Sequence, residues 1–168
     1  IEEIQNQRSL MAAEAGELSP ALTSIRTKEI LEELAVAYRH HEVAEGKIVT
    51  VAADSDDLTL QSDRTLLLRV LGNMVKNALE ASSKGETVSL GSKVHSNEVE
   101  FWVNNAAVMP REVQLQVFKR SFSTKGSGRG IGTYSIRLLV TRYLGGSVDF
   151  ESTQECGTTF RVRLPQGV

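Results

Sequence analysis

The sequence contains one cysteine, no long hydrophobic run and no excess of positive charge. Because Cys156 is the single cysteine among 168 residues, no internal disulfide can form, and a reducing compartment is expected. No apolar stretch approaches the ~20 residues of a membrane-spanning helix, and no signal-peptide pattern opens the chain. The 19 basic residues are balanced by 21 acidic ones, which disfavours nucleic-acid binding. We therefore expect a cytoplasmic domain that contacts neither membrane nor nucleic acid, and the membrane anchorage of a longer parent protein stays open.

The order of predicted helices and strands indicates an α+β fold. A hydrophobic content of 40% in a chain of this length is enough for one core. Apolar residues recur in adjacent pairs four apart over residues 62–82, which predicts an amphipathic helix capped by Ser62 or Asp63. Because the predicted strands group in hairpins, we expect a two-layer sandwich with a mixed, mostly antiparallel sheet and helices on one face. The predicted strands are residues 47–53, 58–61, 86–94, 98–103, 147–152 and 158–164, and the other helices are residues 1–17, 27–38, 110–118 and 130–143.

A glycine-rich segment at residues 118–133 indicates a phosphate-binding loop. Four glycines between residues 126 and 132 are combined with Lys125 and Arg129, ahead of a predicted helix. Successive backbone N–H groups and helix N-termini bind anions, so a polyphosphate nucleotide is the expected ligand. The segment is not a Walker loop, because neither Gly-Lys-Ser nor Gly-Lys-Thr ends the glycine run, and no apolar strand precedes it as in a Rossmann fingerprint. The alternative is a glycine-rich turn with a structural role alone.

Two asparagines on the strongest predicted helix are candidate ligands for a metal ion. Asn73, Asn77 and Glu80 are spaced so that they share one stripe along the edge of its apolar face. Magnesium prefers oxygen ligands and shares its site with substrate phosphates, so we predict that the Asn77 amide oxygen binds Mg²⁺. The alternative is that both amides lie on the surface or cap the helix.

A third group of polar residues lies at the end of a predicted strand. Asn104 and Asn105 follow an apolar strand and precede small residues that leave room for a ligand. An amide there could accept a hydrogen bond from the exocyclic amine of adenine. Turn formation by the two asparagines is the alternative interpretation.

Together these segments resemble the catalytic domain of sensor histidine kinases. The resemblance covers roughly residues 18–165, and five motifs in order make it specific. They are the N box (residues 73–81), the first glycine box (103–110), the F box (118–122), the second glycine box (128–132) and the last glycine box (157–160). The resemblance implies a Bergerat-type α/β sandwich that binds ATP with Mg²⁺ under a lid, as in related topoisomerase, chaperone and mismatch-repair ATPases.

The resemblance also implies roles for individual residues. Asn77 would bind Mg²⁺, Asn73 would lie near the phosphates, and Asn104 would face adenine, with Thr158 supporting the adenine pocket. Asn73, Lys125 and Arg129 would be catalytic. The triphosphate would be held by Lys125, Gly128, Arg129, Gly130, Ile131 and Gly132. The first glycine box departs from the family, which has Asp and two glycines where Asn104, Ala106 and Val108 stand here.

The resemblance also implies domain boundaries and interaction partners for the chain. Residues 1–18 would be the C-terminal end of a dimerisation helical hairpin, and residues 19–168 the catalytic ATP-binding domain. The γ-phosphoryl group would pass to a histidine upstream of Ile1, in the dimerisation and phosphoacceptor domain of a homodimeric parent, and then to a response regulator receiver domain. His40, followed by His41 and Glu42, is too close to the N box to be that acceptor. The alternatives are a non-catalytic nucleotide-sensing module and an ATP hydrolase, although Asn73 stands where a hydrolase would need a glutamate base.

Overall fold

The computed structural model describes residues 2–120 and 131–167, with residues 2, 3 and 131 described by their backbone alone. Within these ranges the helices are α1 (Glu2–Glu14), α2 (Thr27–Arg39), α3 (Arg64–Glu80), α4 (Arg111–Gln114) and α5 (Ile131–Leu138). Helix α5 continues as a π-helical turn at Leu139–Tyr143, and a 3-10 turn at Glu42–Ala44 follows α2. The strands are β1 (Leu22–Arg26), β2 (Ile48–Val51), β3 (Thr59–Asp63), β4 (Thr87–His95), β5 (Glu98–Asn105), β6 (Ser147–Thr153) and β7 (Gly157–Pro165).

The main sheet has five strands in the order β2-β4-β5-β7-β6. Strands β2 and β4 are parallel, whereas the β4–β5, β5–β7 and β7–β6 pairs are antiparallel. Strands β1 and β3 form a separate antiparallel pair. Side chains from the helices and from the main sheet form one apolar core. The predicted α+β class, with a mixed and mostly antiparallel sheet packed against helices, is confirmed.

Helix α3 is capped by Asp63 and packs closely on α2. The Asp63 carboxylate accepts hydrogen bonds from Leu66 N at 2.9 Å and from Ala21 N at 2.7 Å, which satisfies a free N–H of the first helical turn. The phenol of Tyr38 on α2 lies over Gly72, where a Cβ would be only 3.1 Å from the phenol oxygen. The apolar face of α3 is buried as its periodicity predicts, through Leu66, Leu67, Val70, Leu71, Met74, Val75, Ala78 and Leu79.

The two faces of the main sheet differ in what they contact. Successive side chains of a strand point to opposite faces, so Val103 and Asn105 of β5 share the face that packs on the helices, which we call the inner face. Trp102 and Asn104 lie on the opposite, outer face. The buried apolar strand residues of the inner face are Val49, Val88, Leu90, Val99, Phe101, Val103, Val162 and Leu164.

Several elements differ from their predicted extent. Strand β1 was not predicted, and it forms because its residues pair with β3, as Leu22 does with Asp63. The helix predicted for residues 110–118 is a single turn at Arg111–Gln114, and the strand predicted for residues 47–53 ends at Val51. Pro110 precedes that short helix, as predicted from its tolerance at helix starts.

Candidate functional site

The two N-box asparagines lie beside the start of helix α5. Asn73 and Asn77 are one turn apart on α3 and half-buried. Gly132, the second residue of α5, lies directly against Asn77, because a Cβ placed on it would be 3.5 Å from the Asn77 Nδ2 and 3.6 Å from Oδ1. The N box and the end of the second glycine box are therefore neighbours in the fold, as the phosphate-site prediction requires.

The two described ends that flank residues 121–130 are also close to each other. The Thr133 hydroxyl donates a hydrogen bond to the Val117 carbonyl oxygen. Phe118 of the F box packs on the aromatic rings of β6 and β7, with its centroid 5.8 Å from that of Phe150 and 6.2 Å from that of Phe160. The residues before and after this ten-residue segment are thus in contact with each other, and the preceding ones also pack on β6 and β7.

Residues 121–130 themselves lie outside the described part of the chain. The predicted phosphate contacts of Lys125, Gly128, Arg129 and Gly130 fall in this segment, and for Ile131 only the backbone is described. Their roles stay predictions. Gly132 is the one predicted phosphate-binding residue of this loop whose position the structure describes completely.

Asn104 lies on the outer face of the sheet, away from α3. Its Nδ2 donates hydrogen bonds to the carbonyl oxygen of Cys156 at 2.8 Å, to the carbonyl oxygen of Thr158 at 3.2 Å and to Thr159 Oγ1 at 2.9 Å. These three acceptors on β7 and the turn before it fix the amide in place. The position predicted to face adenine is therefore on the opposite side of β5 from the N box.

Asn105 occupies the inner-face position instead. It is 4% exposed and pairs in register with Thr158 of β7. Its side-chain amide forms no hydrogen bond with any of the described residues, whereas the Asn104 amide forms three. The alternation of inward and outward side chains along β5 could have identified Asn105, because it lies two positions after the apolar Val103. The spacing of the first glycine box pointed to Asn104 instead.

The last glycine box supports the segment that follows β5. Gly157 has φ +73°, and a Cβ on it would lie 2.1 Å from the Asn105 carbonyl oxygen, so only glycine allows this close approach. The Thr158 hydroxyl donates to the Ala107 carbonyl oxygen at 2.8 Å and lies 2.9 Å from Ser152 Oγ, which accepts from Met109 N at 2.8 Å. Thr158 therefore holds Ala107 directly and contacts the serine that holds Met109, while its predicted role at an adenine pocket stays a prediction.

Glu14, at the end of α1, joins the two flanks of residues 121–130. Its carboxylate accepts hydrogen bonds from Arg120 Nε at 2.6 Å and from the Tyr134 hydroxyl at 3.1 Å. The Arg120 hydrogen bond lowers the pKa of Glu14, while burial and the hydrogen bond to Glu14 raise the pKa of Tyr134. No sequence signal pointed to this contact, because it joins residues more than a hundred positions apart.

Asn77 has the chemistry that a magnesium site shared with a nucleotide requires. Mg²⁺ is held through one or two protein oxygens together with substrate phosphates and water. Among the described residues no group of three or more His, Cys, Asp or Glu side chains is arranged so that it could hold a metal ion. An amide oxygen next to a predicted phosphate-binding segment fits a shared site.

None of the described helices is both long enough and apolar enough to cross a bilayer.

Solved structures show the same fold. The catalytic domain of histidine kinase ThkA superposes with a TM-score of 0.78 and 26% identity, covering 88% of this chain and 97% of that one. A second structure, ThkA in complex with the response regulator TrrA, has a TM-score of 0.77 and 22% identity over 98% of this chain and 48% of that one.

Curated relatives are sensor kinases. SenX3 of Mycobacterium tuberculosis, a sensor-like histidine kinase, is 29% identical over 95% of this chain and 42% of its own length. Sporulation kinase C of Bacillus subtilis is 32% identical over 67% of this chain and 26% of its own length. The chain thus spans less than half the length of these relatives. Residues 62–168 match the family model for histidine kinase-, DNA gyrase B- and HSP90-like ATPases, so the chain belongs to this family and is of the histidine kinase type.

Proposed function

We propose that this chain is the catalytic domain of a two-component sensor histidine kinase, which binds Mg-ATP and presents its γ-phosphoryl group to a histidine outside the chain. The observation that carries the proposal is the contact between Asn77 on α3 and Gly132 at the start of α5. It joins the predicted metal ligand to the predicted phosphate-binding segment. Family membership supports ATP as the nucleotide.

The phosphate end of the site would be formed around α5. The N-terminus of this eight-residue helix carries partial positive charge from its free N–H groups, which favours a phosphate. Asn73 would lie near the phosphates, and Asn77 would hold Mg²⁺, which when bound neutralises phosphate charge. We assign further phosphate contacts to the loop residues Lys125, Gly128, Arg129, Gly130 and Ile131.

The adenine end of the site would be formed on the inner face of the sheet. Because Asn104 is fixed on the outer face by three hydrogen bonds, we assign the base contact to Asn105 in its place. Thr158 would act indirectly, by holding residues 107–109 beside the base through its bond to Ala107. Purine recognition would then depend on an amide rather than a carboxylate.

Catalysis by such a site would consist mainly of positioning and charge neutralisation, because phosphoryl transfer has a loose transition state. We place the acceptor histidine upstream of Ile1 and assign residues 1–18 to the end of the dimerisation hairpin. A response regulator receiver domain would take the phosphoryl group next, a step supported by the solved complex of ThkA with its response regulator.

Nucleotide binding is tested by calorimetric titration with AMP-PNP, with and without Mg²⁺. We expect binding that Mg²⁺ strengthens, and we expect Asn77→Ala to remove the Mg²⁺ effect. Asn97→Ala, in the exposed turn between β4 and β5, is the matched control and should behave as wild type. Absence of binding at about 1 mM nucleotide, the weakest range expected for a working site, would overturn the proposal.

Phosphoryl transfer is tested with a longer protein that includes the upstream helices. Incubation with labelled ATP should give phosphate on histidine, which is labile in acid and stable in base. Nucleotide binding without any such label would instead indicate a non-catalytic nucleotide-sensing module. That second function is favoured by the Asn, Ala and Val residues that occupy the first glycine box.

A further inference from the structure

The inner face of the sheet carries the side-chain amide of Asn105 at the end of β5. Asn105 is 4% exposed, and its amide atoms are not among the described side-chain atoms that are fully buried without a hydrogen bond, so the amide still touches solvent. No described residue forms a hydrogen bond with that amide. A ligand on the inner face can therefore reach this amide and supply hydrogen bonds that the described residues do not.

The neighbouring residue, Asn104, has an amide whose orientation is fixed by hydrogen bonds. The Asn104 Nδ2 has three oxygen acceptors within 3.2 Å, so rotation by 180° would replace a donor by an acceptor against those oxygens. Asn105 has no such constraint from the described residues. Its Oδ1 and Nδ2 are nearly equal in size, and either can therefore be turned toward a ligand at little cost.

The hydroxyl groups of Thr158 and Ser152 already form hydrogen bonds within the protein. Thr158 donates its proton to the Ala107 carbonyl oxygen, and the Ser152 hydroxyl, which accepts from Met109 N, lies within hydrogen-bonding distance of Thr158 Oγ1. Both hydroxyls are thus engaged within the protein. Of these three side chains, Asn105 is the one whose hydrogen-bonding groups are not engaged by the described residues.

We propose that this nucleotide site accepts 6-oxopurine as well as 6-aminopurine nucleoside triphosphates, because Asn105 can present either Oδ1 or Nδ2 to carbon 6 of the base. The inference rests on the proposed function. A 6-amino group is a donor and would be met by Oδ1, whereas a 6-oxo group is an acceptor and would be met by Nδ2 after rotation. A carboxylate at the same position could accept from the amino group but would oppose the oxo group.

The inference is tested by titrating this chain, in Mg²⁺, with AMP-PNP and with its inosine counterpart, a 6-oxopurine without a 2-amino group. We expect the two affinities to agree within about tenfold, the effect of one hydrogen bond. Asn105→Asp should widen the gap in favour of the adenine nucleotide by about tenfold or more, because the oxo group then faces an acceptor. Asn105→Leu should weaken both nucleotides and leave their ratio unchanged.

Asn97→Asp is the matched control, since the same change is made in the exposed turn between β4 and β5. It should leave the ratio of the two affinities as in wild type. If the wild-type chain binds the adenine nucleotide but binds the inosine nucleotide more than about tenfold more weakly, the inference is overturned and the proposed function stands. A ratio that Asn105→Asp leaves as in wild type would overturn the assignment to Asn105. Failure of both nucleotides to bind would overturn the proposed function and the inference with it.

Discussion

Glu14 and Arg120 are 106 positions apart in the sequence, and two hydrogen bonds of 2.6 and 3.3 Å join their side chains. The same carboxylate accepts a hydrogen bond from Tyr134, while the backbone oxygens of Glu14 and of its neighbour Ala13 accept from Arg142 and Tyr143. The end of α1 is therefore bonded to residues on both sides of residues 121–130. Any displacement of α1 would break or strain the hydrogen bonds to Arg120 and Tyr134.

Glu14→Gln is expected to loosen this attachment while keeping the size of the side chain. Backbone amides of α1 and of α5 should exchange with solvent faster than in wild type, because the charge-assisted hydrogen bond to Arg120 is lost. Hydrogen exchange measured by mass spectrometry tests this, with the exposed Glu17→Gln as control. Equal exchange in the two variants would show that the charged contact does not hold α1.

The pH dependence of this contact has a definite sign. Because the Arg120 hydrogen bond lowers the pKa of Glu14 in the folded protein, the contact contributes stability above the ordinary Glu pKa of 4.5 and loses it as the pH falls through the lowered value. The difference in exchange between wild type and Glu14→Gln should therefore be largest near neutral pH and vanish in acid. A difference that grew on acidification would contradict this account.

Gly157→Ala is expected to destabilise the domain strongly. The new Cβ would need a left-handed backbone, at φ +73°, and would lie 2.1 Å from the Asn105 carbonyl oxygen. Gly85→Ala is the matched control, since Gly85 has φ +87° and no atom within 4 Å of the added Cβ. We expect the free energy of unfolding to fall by about 1 kcal/mol in Gly85→Ala, from backbone strain alone. In Gly157→Ala it should fall by on the order of 3 kcal/mol or more. Urea denaturation measures both, and equal losses would refute the close approach of the last glycine box to β5.

Thr158→Val is expected to weaken both folding and nucleotide binding. The change keeps the shape of the side chain but leaves the Ala107 carbonyl oxygen without its donor, a loss of about 1–3 kcal/mol. Thr158→Ser keeps the hydroxyl and loses one buried methyl group, for about 0.8 kcal/mol. If Thr158 acts by positioning residues 107–109, affinity for AMP-PNP should fall in the valine variant and be nearly retained in the serine variant. Similar affinities in both variants would show that the hydroxyl has no such role.

Local sequence patterns predicted the elements whose residues are close together in the chain. The period of apolar residues located α3, and Asp63 was one of the two predicted caps. The two hairpins of the main sheet were predicted from alternating residues and turns, as their antiparallel registers confirm. Strand β1 was missed because its partner, β3, lies more than thirty residues further along, where no local pattern reports the pairing.

By itself the sequence determined the family, through five motifs in order, and the two-layer fold that follows from grouped hairpins around one amphipathic helix. Tertiary structure alone decided which of two adjacent asparagines faces the helices, since the register of β5 with β7 assigns Asn104 to the outer face and Asn105 to the inner one. It also decided that Glu14 meets Arg120 and Tyr134. Both outcomes depend on contacts between distant segments, which form only when the whole core closes and which no local spacing of residues encodes.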